Sequence, residues 1–297
     1  MTLYTQAESN IRKTWLYLFF FLILIIAVGW VISWYLESTF ILYLAVILAV
    51  SMNLSAYWFS DKIILNMSRA KPIEKRDSPE LYRLVENLCI TAGLPLPKIY
   101  IIEESQPNAF ATGRDAEHAV VAVTRGLLEK LERAELEGVV AHELSHIGNK
   151  DMLLQTIVVV LAGVIVIMTD FFFRISFWGG GRRSSKGGNQ YLVFVAIALA
   201  ILAPIFAQLI KLAISRKREF LADASGVLLT RYPEGLARAL EKISADPNPL
   251  KGASDATSHL YIASPFRGKE SKSWLHKLFV THPPVEERVR ALRLMKV

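Results

Sequence analysis

Residues 139–148 read Val139-Val140-Ala141-His142-Glu143-Leu144-Ser145-His146-Ile147-Gly148, and this stretch decides how the rest of the chain is read. It lies within a helical pattern running from Leu127 to Gly148. Residues four apart in a helix project from one face, so both imidazoles can bind a single zinc ion. Glu143 stands one position on, beside the metal rather than on it, where it can take a proton from an attacking water. The small and apolar neighbours Val139, Val140 and Ala141 turn the histidines toward an interior, and a buried histidine pair needs partners. The competing possibility is a solvated amphipathic helix whose His and Glu face water.

A catalytic zinc takes three protein ligands and a water. No other histidine lies within a turn or two of the pair, so the third ligand comes from elsewhere. Glu219, in Arg218-Glu219-Phe220-Leu221-Ala222-Asp223, is the candidate. Asp223 shares its face at i+4 and can hydrogen-bond a ligand imidazole, fixing its tautomer. Taken alone, the same stretch also reads as a surface Glu–Asp pair beside the basic run Arg216-Lys217-Arg218.

Hydrophobic residues make up 53% of the 297 positions, above the usual share for a soluble protein. The excess is concentrated in four uncharged runs: Trp15–Leu36, Thr39–Ser60, Met152–Thr169 and Tyr191–Ile210. Each approaches the roughly 20 apolar residues that span a bilayer. The first exceeds the roughly 7–15 apolar residues of a signal peptide, so a retained helix is expected, anchored by Trp15, Trp30, Trp34 and Tyr35. The formal net charge is +7. The cations cluster beside the apolar runs (Arg12 and Lys13; Lys62, Arg69, Lys71, Lys75 and Arg76; Lys211, Arg216, Lys217 and Arg218), as beside anionic headgroups. No basic stretch is interleaved with aromatic residues, which speaks against nucleic acid as a partner. The single cysteine, Cys89, excludes an internal disulfide and fits a main globular part on the reducing side.

The short basic flanks of the first hairpin put both its ends, and the segment from Asp61 to Asp151, in the cytoplasm. The loop between the third and fourth runs carries Arg174, Arg182, Arg183 and Lys186, against the same rule; either it is an exception or those runs do not fully cross. Two crossings or none return Glu219 to the side of His142. Helices are expected over Ser78–Thr91, from Ile214 through Leu229 and over Val285–Met295, strands over Lys98–Glu103 and His118–Val123, and a loop over Pro247–Ser273. The expected fold class is a predominantly α integral membrane protein with about four transmembrane helices and a cytoplasmic zincin-like α+β metalloprotease domain. Residues 1–60 and 152–214 form the two membrane hairpins; residues 61–151 and 215–297 form the two parts of the protease domain.

His142-Glu-Leu-Ser-His146 with Glu219-Phe-Leu-Ala-Asp223 resembles the gluzincin pattern. Adding Asn108-Ala-Phe-Ala-Thr-Gly113, Thr281-His-Pro-Pro-Val-Glu-Glu-Arg288 and the four runs, the chain resembles the HtpX membrane proteases, relatives of the CAAX prenyl endopeptidases. The resemblance implies a zinc endopeptidase with His142, His146 and Glu219 on the metal and Glu143 as base. It implies damaged or misfolded membrane proteins as substrates, cut at the cytoplasmic face of the cell membrane under stress. It also implies that a strand edge at Asn108, Ala109 and Phe110 binds extended substrate, since an unpaired edge offers main-chain hydrogen bonds to any peptide in β form. Asn108 reads equally as a turn residue after Pro107. His282 either donates a hydrogen bond to the oxyanion or packs the C-terminal helix, and Arg288 either plays a related role or pairs with Glu286 or Glu287, the pairing being the favoured reading. Two other functions stay open: a narrower protease for lipidated C-terminal peptides, and a membrane holdase that keeps the zinc fold without activity. An intact Glu143 speaks against the holdase, because structural zinc needs no base.

Overall fold

The computed structural model describes residues 3–35, 37–158, 160–161, 216–250, 260–264 and 283–296. Most of the third apolar run, the loop after it, all of the fourth run, and His282 lie outside the described residues.

Two long helices open the chain, α1 (Leu3–Tyr35) and α2 (Thr39–Met67). They pack as a hairpin whose turn holds Glu37 in the left-handed region (φ 48), with the Ser33 hydroxyl donating to the Ser38 carbonyl at 2.8 Å. Glu8–Val31 and Thr39–Met67 are each long and apolar enough to cross a membrane. Their outer faces leave Trp15, Phe19, Trp34, Phe40 and Ile47 more than half exposed. An apolar surface that extensive marks a membrane or partner contact rather than a face made for water.

A four-stranded sheet follows: β1 (Lys71–Pro72), β2 (Lys98–Ile102), β3 (Ala109–Thr112) and β4 (Val120–Thr124), in spatial order β1-β2-β4-β3. β2 runs parallel to β4; β1 and β3 pair antiparallel with their neighbours. Parallel strands need a crossover between them, and the β2-to-β4 crossover contains β3, which folds back onto β4. Helix α3 (Pro79–Ala92) sits between β1 and β2, with Pro79 in its first turn and Gly93 left-handed at its end. Successive side chains of a strand point to opposite faces. On β4, Val121 and Val123 join the cluster with α3 residues Leu84, Val85 and Leu88, whereas Val120 and Ala122 join Leu18, Phe21, Ile64 and Leu65 of the long helices. The sheet is therefore covered on both faces, and its strands read as continuous apolar runs for that reason.

The run from Leu127 to Gly148 is two helices, not the single expected one: α4 (Arg125–Lys130) and α5 (Arg133–Gly148). Leu131 and Glu132 between them are extended. A capping box explains the break: the Glu132 side chain accepts from the third-position N–H of α5 and Glu135 accepts from the Glu132 N–H, satisfying donors that a continuous helix would have bonded internally. Helical turns follow from residue 152, and three more helices are described: α6 (Arg216–Thr230), α7 (Pro233–Ser244) and α8 (Val285–Arg293). Neither β1 nor α7 was expected from sequence. Helix α5 is the central element, packed against β3, β4, α3, α6 and α7. Leu144, facing the core with no exposed surface, contributes roughly 1.5–3 kcal/mol by burial. Where α6 crosses α5, a Cβ added to Gly226 would lie 3.0 Å from the His142 nitrogen, so the missing side chain sets how near the two helices approach.

Candidate metal centre

The i, i+4 spacing carries His142 and His146 to one face of α5, their Nε2 atoms 3.2 Å apart. Helix α6 lays Glu219 against them, with carboxylate oxygens 3.9 Å from His142 Nε2 and 3.8 Å from His146 Nε2. One ligand atom from each of the three lies within 4.8 Å of the others, and all three residues are buried. Two imidazoles and a carboxylate are a donor set suited to zinc and to other divalent transition metals. A buried cation also compensates a carboxylate held in so dry a place. The donors fit a metal.

Each imidazole is held from behind. His142 Nδ1 is 2.9 Å from Asp223 Oδ1 and 3.4 Å from an Arg288 nitrogen. The shorter contact puts the proton on Nδ1, donating to the carboxylate, and leaves Nε2 as the acceptor facing its partners. His146 Nδ1 is 3.0 and 3.1 Å from the two Asp151 oxygens. Arg288 is 1% exposed and grips Asp223 with both arms of its fork, Nε at 2.9 Å and Nη2 at 2.6 Å. Its Nη1 donates to the Ile262 carbonyl at 3.0 Å and stands 3.7 Å from Glu219. The expected pairing of Arg288 with Glu286 or Glu287 is thus corrected. Helix positions one and two apart do not face each other, whereas the inward face of α8 meets α6.

The charges follow from this arrangement. Burial pushes the Glu143 carboxyl up to about 7, with Glu219 adding to the rise. Burial depresses His142, against the pull of Asp223. Burial acts in the same sense on His146, but Asp151 and Glu219 outweigh it and lift the imidazole to about 10. Burial would raise Asp223, yet Arg288 and His142 hold it below the usual carboxylate range. Glu143 is 2% exposed and accepts a hydrogen bond from the Ala111 main-chain N–H, which pins it between α5 and the outer edge of β3.

That edge is not the bare one expected. Thr124 N–H donates to the Asn108 carbonyl, so Ala109 and Ala111 turn their peptide groups outward, away from β4. The Ala109 carbonyl accepts from the Ile262 N–H at 3.0 Å. The Asn108 amide donates to the Ala263 carbonyl at 3.0 Å. The Phe110 ring meets Tyr261 edge-on at 5.3 Å, on the sheet face away from the metal. Among the residues singled out by sequence, His142, Glu143, His146, Glu219 and Asp223 come together; Asn108 and Ala109 line the neighbouring edge, and Phe110 is wholly buried behind it. Asp151 and the 260–264 segment went unnoticed. Asp151 had a signal, its place five residues after His146 at a helix end; the segment, more than 150 residues from Asn108, had none.

Two histidines and a glutamate that could hold a metal, on helices backed by a sheet and with a further carboxylate beside them, are the arrangement a metalloprotease uses, and the chain is a metalloprotease. It belongs to peptidase family M48, whose model matches residues 75–296. The chain is 48% identical over 295 residues to a protease HtpX homolog of Dictyoglomus thermophilum, covering 99% of this chain and 95% of the relative. It is 46% identical over 298 residues to a protease HtpX homolog of Thermoanaerobacter pseudethanolicus, covering 98% and 97%. The crystal structure of S. mikatae Ste24p is similar in fold, with TM-score 0.50 at 22% identity over 88% of this chain and 60% of that one.

Proposed function

We propose that the chain is a zinc endopeptidase of the cell membrane that cuts misfolded or damaged membrane proteins at the cytoplasmic face. His142, His146 and Glu219 hold the zinc. When bound, the zinc supplies Lewis-acid polarisation of the scissile carbonyl and makes a water more acidic. Glu143 takes the proton from the attacking water and delivers it to the leaving amine nitrogen as the C–N bond breaks. Burial raises the Glu143 carboxyl in the metal-free protein, which favours a group that both takes and returns a proton. Asp223 keeps His142 in the tautomer that leaves Nε2 free, and Arg288 keeps Asp223 charged. His282, a few residues before the helix that bears Arg288, donates to the developing charge on the carbonyl oxygen.

Substrate lies extended along β3, where Asn108, Ala109 and Phe110 position it through main-chain bonds; there it takes over the places of Ile262 and Ala263. Such recognition tolerates many sequences, which suits a protease of misfolded chains. The chain crosses the membrane four times, through the hairpins of 1–60 and 152–214, and 61–151 and 215–297 form the protease domain on the cytoplasmic side. Two helices of spanning length with basic flanks support the first of these hairpins.

The observation that carries the proposal is the meeting of three metal-ligand atoms with Glu143 beside them. Glu143→Ala in detergent, assayed for metal and for degradation of an unfolded membrane protein, is expected to retain zinc and lose cleavage. Cleavage at the wild-type rate would sink the mechanism.

A further inference from the structure

Helix α5 ends two residues after His146, and the manner of its ending reaches back to the metal centre. Gly148 is its last residue and Asn149 its cap. Lys150 is left-handed (φ 54). The Lys150 N–H donates to the Ile147 carbonyl at 3.2 Å and the Asp151 N–H to the His146 carbonyl at 3.3 Å. These paired bonds define a Schellman turn, which folds the residue after the left-handed one over the third residue from the helix end. An apolar contact usually joins those two positions. Here they are Asp151 and His146, and the contact is carboxylate to imidazole.

Two details argue that this contact is built rather than incidental. Asp151 has no exposed surface and immediately precedes the helical turns that begin at residue 152. An aspartate there ordinarily caps the following helix with its side chain. Its oxygens instead bond to His146 Nδ1. The turn is also clamped from outside. Asn10 of α1, 1% exposed, donates to the Asn149 carbonyl at 3.1 Å, one of the acceptors a helix end leaves unpaired. The Asn10 oxygen faces Arg218 Nη1 at 3.4 Å, and Arg218 adjoins Glu219 in the chain. A single residue of the first long helix thus touches the end of α5 and the start of α6.

We propose that Asp151 is a positioning residue of the metal centre, holding His146 with Nδ1 protonated and Nε2 directed at the metal, and that Asn10 steadies the turn that delivers it. The proposal rests on His146 being a metal ligand. It makes α1 part of the support of the centre as well as a membrane helix.

The test measures zinc affinity of the full chain in detergent by competition with a chelator, with the cobalt absorption spectrum as a second readout of ligand geometry. Asp151→Ala is expected to weaken zinc binding about 10–100-fold and to change the cobalt spectrum. Asp151→Asn, of the same shape with an acceptor oxygen but no charge, is expected to lose less, and Asn10→Ala only a few-fold. Lys150→Gly, which keeps the turn, is expected to bind as wild type. Wild-type affinity and spectrum in both Asp151 variants would overturn the proposal. If Asp151→Ala fails to fold, the isosteric Asp151→Asn decides alone. His146→Ala separates the two ideas: full zinc retention there defeats the metal assignment, while zinc loss there with unchanged Asp151 variants defeats only the positioning role.

Discussion

Arg288 shows how much of the centre hangs on one buried residue. Its guanidinium binds Asp223 through two nitrogens and the Ile262 carbonyl through a third, joining the α6 side of the metal site to the segment lying on β3. Removing one partner of a buried, hydrogen-bonded pair leaves an uncompensated charge and costs about 3–5 kcal/mol. Arg288→Ala is therefore expected to lower the thermal midpoint measurably and to reduce zinc affinity. Arg288→Lys should rescue little, since an ammonium cannot reproduce the planar fork. His146 makes a second prediction at this scale. In the metal-free protein its imidazole stays protonated up to about 10, whereas a metal ligand must be neutral. Zinc uptake at pH 8 should release roughly one proton from this site, and affinity should fall as pH is lowered. Calorimetry in two buffers of different ionisation enthalpy measures the release; uptake without protons would contradict a protonated His146 in the metal-free protein. The pair His142 and His146 was legible from spacing alone. The partner of Arg288 was not, because the nearest acidic residues in sequence, Glu286 and Glu287, lie where a helix cannot turn them toward it.

At the scale of elements, the α5–α6 crossing decides whether the three candidate ligands meet as one site. Gly226 lets the backbones approach, and an alanine there would put its Cβ 3.0 Å from His142 N and 3.2 Å from the Ala141 carbonyl carbon. Helix α6 would have to retreat by a few tenths of an ångström, taking Glu219 and Asp223 with it. Gly226→Ala is expected to fold and to bind zinc more weakly, whereas Gly148→Ala, with nothing nearer than 4.0 Å, should bind as wild type. Equal affinities in the two variants would contradict this view of the crossing. The helical runs on either side of the site were readable from their apolar period. The break between α4 and α5 was missed because Glu132 and Glu135, each an ordinary helix former, act here as a cap. Glu219 was a candidate through the need for a third ligand and the i+4 Asp223, but only the resemblance to a known pattern raised it above a surface Glu–Asp pair beside a basic run.

Across the whole molecule, the sheet is the layer that ties membrane to chemistry. One face of β4 packs on residues of α1 and α2, the other on the core shared with α5, and β3 carries Glu143's hydrogen-bond donor at its outer edge. Such layering follows from strands apolar on both faces, which the sequence shows but does not assign to partners. That α1 reaches the end of α5 through Asn10 was likewise beyond a local reading, because no periodicity links residue 10 to residue 149. The proposed centre rests above all on Glu219, the candidate ligand brought from a separate segment of chain. The most direct test is the zinc content of Glu219→Ala beside that of wild type, both purified in the same detergent and dialysed against the same buffer. Wild type is expected to hold one zinc per chain and Glu219→Ala little or none; full zinc in the variant would contradict the account.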